Sequence, residues 1–521
     1  MLKLVSSSTT KKEAAIINDL RHQSFLAFKG IDAFYGGSPQ DYSAIKKQED
    51  FPVTIDFDTA NRHIVVFGAS GTGKSSGVLR PASIRLIESG CSGMILDWKS
   101  DFHYLHRLYP YRVQLINPDV DMVPLNLLGG MTENEIIAFL DSVKTKLDSQ
   151  PYFGSKVKSI VRFVIRTFFL LNRPVTLASI YNALAHPSGG FVEHFDELIR
   201  SNKFLPDDYL KMIHTQASDP FSILVVGNSR NLDRFKKTTD RKQTQPSDHA
   251  PNQYEWQVGC LKTVLEPFET NTRLRDYLCA ERNSDDLCLK DLIYKDRKVL
   301  IVHLKPDQYG SAAPIVNRLL RTRFIAAMKS DAPQLLNDKD GLGRNWYTFM
   351  LADEYQNTCM LKSGDDDGYF YDDLAWFAEA REFGHINVIG LQGLSSLFSS
   401  CGNEKLHSVR TLIQNAGTVI SFSSSDIETH NEVSSRAPVL QRSELISHLS
   451  SSLPVGTALV VCQFVGKQGA FKVSTDACKY APWMKLRPDW LSQSSAVLSK
   501  TKRTEVWLNT PRSHSPEKNN F

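Results

Sequence analysis

Eight residues, Gly68-Ala-Ser-Gly-Thr-Gly73-Lys74-Ser75, constrain this 521-residue chain more than any others. They follow the apolar run HIVVFG (63–68) and lead into a stretch with helical periodicity, so the chain must pass from a strand through a tight glycine-rich loop into a helix. Such a loop turns successive backbone N–H groups inward, and the helix N-terminus adds the positive end of its dipole. A phosphate group is the ligand that this geometry takes. Lys74 is placed to bridge β- and γ-phosphates and Ser75 to hold Mg²⁺. The expected phosphate-binding set is Gly68, Ala69, Ser70, Gly71, Thr72, Gly73, Lys74, Ser75 and Ser76, with ATP and Mg²⁺ as the expected ligands.

The second signal is YTFMLADEYQN (347–357), an apolar strand closing on Asp353 and Glu354. Neighbouring residues on a strand point to opposite faces, so the pair is expected to divide its work: Asp353 in the Mg²⁺ shell and Glu354 polarising the attacking water. Alone, two acids after a strand are often no more than a charged turn. Below a Walker A loop they become a Walker B motif. Further on, AREFGHINVIGLQGLSSL puts Arg381 before another strand and Gln392 at its carboxyl end. Ligands of open α/β sheets sit at the carboxyl ends of strands, so Gln392 is expected within reach of the γ-phosphate. From the residues alone, Arg381 is either a finger completing a neighbour's site or a surface ion-pair partner. The catalytic candidates are thus Lys74, Glu354, Arg381 and Gln392, and the metal ligands Ser75 and Asp353.

Eight β-rich runs recur, at 63–68, 93–98, 112–117, 298–304, 347–354, 386–392, 417–423 and 456–464, with helical patterns between many of them. The expectation is a mostly parallel α/β sheet covered on both faces. About 180 residues between the third and fourth runs carry helical periodicity and few strand signals, as an inserted helical domain would. This predicts an N-terminal segment over 1–57, a nucleotide-binding domain over 58–130 and 291–485, an all-α insert over 131–290, and a flexible tail over 486–521. Within the insert, 229–253 is polar and basic and reads as a mobile loop, more simply a solvated linker than a nucleic-acid arm.

Net charge is only +4, from 61 basic and 57 acidic residues, so any nucleic-acid contact must be local. The eight cysteines form no Cys-x-x-Cys pair, which argues against zinc sites and a disulfide scaffold and for a reducing cytoplasm. No apolar run reaches the length of a membrane span; the longest candidate, Ser159 to Leu171, is interrupted by Arg162 and Arg166 and reads as a buried or amphipathic helix.

In order along the chain, RHIVVFGASGTGKSSG, MILDWKSDF, INPD with PLNLL, VLIVHLKPDQYG, LADEYQN, REFGHINVIGLQ, NAGTVISFSSSDIETHNEV and LPVGTALVV resemble the type IV secretion coupling proteins, within the FtsK/HerA class of translocases. The resemblance runs from about Asp58 to Pro482. It implies a RecA-like P-loop NTPase whose insert is the family's all-α domain, with Arg381 as the arginine finger acting in trans. Three departures stand out: no N-terminal membrane anchor like the family's is expected in 1–57, Trp98 replaces a proline, and 360–373 reads as an enlarged acidic loop. Asp97 and Lys99 alternatively suggest an Asp-x-Lys nuclease fragment, but no partnered acidic motif accompanies them.

The expected function is that of an ATP-dependent DNA translocase, a ring of six copies hydrolysing ATP at subunit interfaces in conjugative or secretion-type transfer. Its expected partners are DNA, further copies of itself, and secretion-channel or relaxosome-type proteins. The expected location is cytoplasmic, peripheral at the inner membrane only through partners. Protein cargo, or a nucleotide-gated scaffold without translocation, are the alternatives.

Overall fold

The structure, a computed structural model, describes residues 25–36, 51–120, 124–143, 151–201, 250–280, 291–337, 347–361, 372–437, 452–462 and 469–475, with scattered positions between 205 and 229 and at 289. Its described strands form one sheet: β1 (Leu26–Gly36), β2 (Phe51–Ile55), β3 (Ile64–Phe67), β4 (Ser92–Leu96), β5 (Val113–Ile116), β6 (Val299–Val302), β7 (Thr348–Ala352), β8 (His385–Leu391), β9 (Thr418–Ser421), β10 (Thr457–Cys462) and β11 (Gly469–Ser474). They lie in the order β2-β1-β11-β10-β9-β3-β8-β7-β4-β6-β5. The seven strands from β9 to β5 pair in parallel, and the remainder join antiparallel to one another and to β9.

All eight runs read from the sequence are strands, whereas β1, β2 and β11 were not anticipated. The segment over 1–57 is therefore not separate from the sheet, because β1 and β2 extend it. The reason lies in local irregularity. Register shifts between Gly30 and Asp32 and between Ala33 and Tyr35 interrupt the alternation of β1, and β2 contains Pro52. Proline is tolerated on such an edge strand, which has a hydrogen-bonding partner on one side only.

Alternate residues of the parallel strands enter two apolar cores. Val65, Phe67, Met94, Leu96, Met350 and Leu391 face one, while Ile64, Val66, Ile95, Phe349, Leu351 and Val388 face the other. Burial on both faces explains why these strands read as continuous apolar runs. The second core is capped by α1 (Arg80–Glu88), which contributes Ala82, Ile84, Leu86 and Ile87.

Between β5 and β6 the longer described elements are the helices α2 (Glu133–Val143), α3 (Pro151–Leu170), α4 (Leu177–Ala185), α5 (Val192–Ser201), α6 (Ala250–Leu265) and α7 (Thr272–Leu278). Backbone bonds from Leu125 N to Tyr277 O (2.7 Å), Leu127 N to Leu278 O (3.1 Å) and Ala280 N to Leu125 O (3.2 Å) close this excursion at its neck. α3 buries Ile160, Val161, Phe163, Val164, Ile165 and Phe168. Its Arg162 and Arg166 turn outward to Glu133, at 3.6 and 3.0 Å. No described helix is long and apolar enough to cross a membrane.

Of the loop expected over 229–253, residues 230–249 lie outside the described residues, but 250–253 open α6. Pro251 suits a first helical turn, and Tyr254, Val258, Leu261 and Leu265 supply the buried stripe that the polar composition upstream obscured. The tail over 486–521 lies outside the described residues, as do 362–371 of the acidic loop. The end of that loop is part of the fold: Asp372 caps α9 (Asp373–Glu379), and Asp373 is buried. The remaining helices are α8 (Ala312–Asn337), α10 (Leu394–Cys401), α11 (Leu406–Gln414) and α12 (Ile427–Arg436).

Candidate nucleotide site

The strand order assembles the site. β8 lies between β3 and β7, with β4 beyond β7. The carboxyl ends of β3, β8, β7 and β4 therefore bring the glycine-rich loop, Gln392, the Asp353–Glu354 pair and the segment after Leu96 into one row.

After β3 the loop is anchored on both sides. Gly68 N donates to Leu391 O at 3.1 Å, Ala69 N to Ser423 O at 3.1 Å, and Gly456 N to Thr72 O at 3.0 Å. Thr72 Oγ1 closes the turn on Ala69 O at 2.8 Å. Gly73 has φ +104°, and a Cβ there would stand 3.1 Å from Gly456 N, so conformation and space both exclude larger residues. Gly71, also at positive φ, lies with Ala69 and Ser70 at the exposed tip. The helix begins as a π-type turn over Ser75–Leu79, with Ser76 exposed and bonded only to Gly73 O at 3.4 Å.

Lys74 is buried, with Nζ 3.8 Å from Asp353 Oδ1, 3.9 Å from Glu354 Oε1 and 3.4 Å from Gly68 O. Ser75 Oγ donates to Asp353 Oδ2 at 2.7 Å. Both carboxylates thus face one ammonium, contrary to the expectation that they point to opposite faces of the sheet. β7 ends at Ala352, and Glu354 takes a left-handed conformation (φ +54°) that breaks the strand alternation. A non-glycine residue held in that region at a polar cluster is a typical sign of a functional constraint.

Glu354 is clamped from three directions. Gln392 Nε2 donates to its Oε2 at 3.0 Å, Gln356 Nε2 reaches the same oxygen at 2.5 Å, and Lys99 pairs with Oε1. Burial pushes this carboxyl up, but the Lys99 and Lys74 ammoniums and the Gln356 amide outweigh it and hold the group below its usual range.

Lys99 and Gln356 were not picked as site residues from the sequence. Lys99 was visible only in MILDWKSDF, and the sole chemistry it suggested there, the Asp-x-Lys nuclease fragment, does not hold. Asp97 spends its oxygens on the amides of Asp101 (2.9 Å), Phe102 (3.0 Å) and His103 (3.0 Å), and burial pushes its carboxyl up. Among the described residues, no group of three or more His, Cys, Asp or Glu is arranged to hold a metal ion.

Arg381 stands apart from this cluster. It lies in a short 3-10 turn before β8, its carbonyl accepts from Asn61 Nδ2 at 3.4 Å, and its side chain is exposed. The seven residues of β8 separate it from Gln392 by roughly 23 Å at ~3.3 Å per residue. A single side chain cannot bridge that length, so Arg381 does not contribute to the site of its own chain.

The residues present fit a nucleotide phosphate chain and a hard divalent cation. The loop supplies a tight glycine-rich turn and a buried ammonium, while Ser75 and Asp353 already bring two oxygen ligands into contact.

Comparison with known proteins agrees with this geometry. Residues 42–158 match the family described as helicase HerA, central domain. None of the curated proteins matches the chain significantly. Among solved structures, the plasmid coupling protein TrwB in complex with the non-hydrolysable GTP analogue GDPNP superposes with a TM-score of 0.52 at 15% identity, over 87% of this chain and 96% of that one. TrwB in complex with ADP and Mg²⁺ gives 0.51 at 14% identity, over 88% and 96%. The unbound bacterial conjugative coupling protein TrwBdeltaN70 gives 0.52 at 15%, over 82% and 88%. The chain therefore has the RecA-like P-loop NTPase fold of the conjugative coupling protein TrwB, with its helicase HerA match falling on the segment that carries the phosphate loop.

Proposed function

We propose that this protein is an ATP-hydrolysing motor of the coupling-protein type, acting on DNA as a ring of like subunits. The observation that carries the reading is the convergence of Lys74, Ser75, Asp353, Glu354 and Gln392 at the carboxyl ends of three adjacent strands. A scaffold that only bound nucleotide would have no use for a buried carboxylate held ionised by two ammoniums and oriented by two amides.

In this reading amides between Ser70 and Ser76 cradle the β-phosphate, and the Lys74 ammonium leaves its carboxylates to counter charge between the β- and γ-phosphates. Ser75 Oγ and Asp353 hold Mg²⁺, which when bound neutralises charge on the phosphate oxygens. Glu354 accepts the proton of the attacking water, and Gln392, already bonded to it, orders that water against the γ-phosphate. Arg381 completes the site of the adjacent subunit. We take residues 131–290 as the inserted all-α domain and 58–130 with 291–485 as the body of the motor. β1 and β2 are added to its sheet.

The test is hydrolysis by the purified chain with Mg²⁺, with and without single- and double-stranded DNA, together with its mass in solution. DNA-stimulated turnover by a ring is the expected result. Turnover indifferent to both DNAs would favour protein cargo, and binding without turnover a scaffold. Glu354→Gln should bind ATP yet lose about 10²–10⁴ in kcat, the usual contribution of a positioned base. An unchanged rate would move the base elsewhere.

A further inference from the structure

Lys99 pairs with the residue read above as the catalytic base, and nothing in the phosphate loop or the acidic pair accounts for it. Its side chain is 41% exposed while that of Glu354 is only 3% exposed, so a largely solvated lysine sends its head into a buried carboxylate. An exposed ion pair contributes little and needs no special framework. Here the framework is extensive. Asp97 caps three successive amides of the segment that bears Lys99. Ser100 turns the chain at φ +66°. His303, at the end of the neighbouring β6, donates from Nδ1 to Asp97 O at 3.0 Å and accepts at Nε2 from Ser100 Oγ at 3.2 Å. Arg80, in the first turn of α1, pairs with Asp101 in the same segment.

The charges on Glu354 are unevenly secured. Gln356 and Gln392 are neutral and hold Oε2, whereas Lys74 and Lys99 are the two cations on the Oε1 side. Lys74 must turn to the phosphates when nucleotide binds, which removes one cation from the carboxylate as a polyanion arrives beside it. Lys99 comes from a different strand and has no such second duty. It is the cation that stays.

We propose that Lys99 is a positioning residue for Glu354, fixing its carboxylate toward the attacking water throughout nucleotide binding and linking that position to helix α1 through Asp101 and Arg80. The assignment rests on the reading of Glu354 as the base. It predicts an effect on turnover that spares nucleotide affinity, because Lys99 touches the carboxylate and not the phosphate loop.

The experiment compares Lys99→Met, Lys99→Arg and Glu354→Gln in the full chain, measuring kcat with Mg·ATP and the affinity for a fluorescent, non-hydrolysable ATP analogue. Lys99→Met should lose about 10–100-fold in kcat, part of the contribution of a well-placed base, with affinity within about threefold of wild type. Lys99→Arg restores the charge at this exposed site and should recover most of the loss. Adding Lys99→Met to Glu354→Gln should cost nothing further, since the carboxylate it positions is gone. A Lys99→Met kcat equal to or above wild type, or equal damage in the Met and Arg variants with affinity lost in both, overturns the proposal. If Glu354→Gln itself turns over normally, the reading of Glu354 fails. If Glu354→Gln is inactive while Lys99→Met is normal, only the assignment of Lys99 fails.

Discussion

Arg381→Ala separates a finger in trans from a surface residue more sharply than any other substitution in this chain. Its cost to folding should be small: the side chain is exposed, and the turn around it is held by backbone bonds such as Gly384 N to Arg381 O at 3.0 Å. Removing such a side chain typically changes stability by within ~0.5 kcal/mol. As a finger it would instead stabilise charge developing on the transferred phosphoryl group, and its loss should lower kcat by roughly 10³-fold or more, equivalent to about 4 kcal/mol of barrier. Because Arg381 is roughly 23 Å from Gln392 along β8, that effect must cross a subunit boundary. Mixing then gives a quantitative assay. Arg381→Ala subunits keep Lys74 and Lys74→Ala subunits keep Arg381, so in an equimolar random ring about one interface in four joins an intact loop to an intact finger. Hydrolysis should recover to about a quarter of the wild-type rate per site, from two inactive parents. Full activity of Arg381→Ala alone, or no recovery in mixtures shown by mass to co-assemble, would refute the argument.

Lys74→Ala alone should abolish measurable turnover and weaken Mg·ATP binding in a fluorescence titration, since the buried cation is lost while the loop amides remain. Asp373→Ala should destabilise the fold by about 3–5 kcal/mol in denaturant titration, because it leaves buried Arg321 without its carboxylate and also removes the acceptor for Tyr355 OH (2.5 Å) and Met360 N (2.7 Å). His63 is fully buried, and burial lowers its pKa from 6.5 to about 4. The folded state thus binds fewer protons than the unfolded chain between those values, so stability present above pH 6.5 should fall by about 3 kcal/mol as pH drops toward 4. His63→Gln should flatten that slope in denaturant midpoints measured at several pH values.

The parallel half of the sheet was legible because strands buried on both faces are written as uninterrupted apolar runs, and the phosphate loop because its glycines, Lys74 and Ser75 each carry a conformational or chemical demand. β1 and β2 were not legible, since bulges and an edge proline erase the alternation that marks a half-buried strand. The acidic pair follows β7, as its apolar run implied, but its geometry was not legible. Strand periodicity extrapolated past Ala352 sends Asp353 and Glu354 to opposite faces, and only the left-handed turn at Glu354 reveals that both meet Lys74. Lys99 was beyond reach for a different reason. Its partner is 255 positions away in the chain, and their meeting depends on β4 lying next to β7, a matter of strand order that no local pattern encodes.

That strand order also gives β8 a special place in the proposed motor. Gln392 stands at its carboxyl end, bonded to Glu354 of its own chain, and Arg381 precedes its amino end, at the other end of the strand. The amino end is locked into its neighbours. His63, just before β3, has its Nε2 at 3.0 Å from Phe377 O and accepts at Nδ1 from Asn387 N at 3.2 Å. His385 meets Thr348 of β7 at 2.9 Å and Asn387 at 3.2 Å. Burial and the neighbouring His63 hold His385 well below its ordinary pKa, so this network stays uncharged and its bonds keep one arrangement at neutral pH. A fully buried strand bonded to both neighbours in this way holds its two ends in a fixed relation. If Arg381 acts in trans as proposed, β8 thus fixes the geometry between the sensor of one nucleotide site and the finger offered to the next.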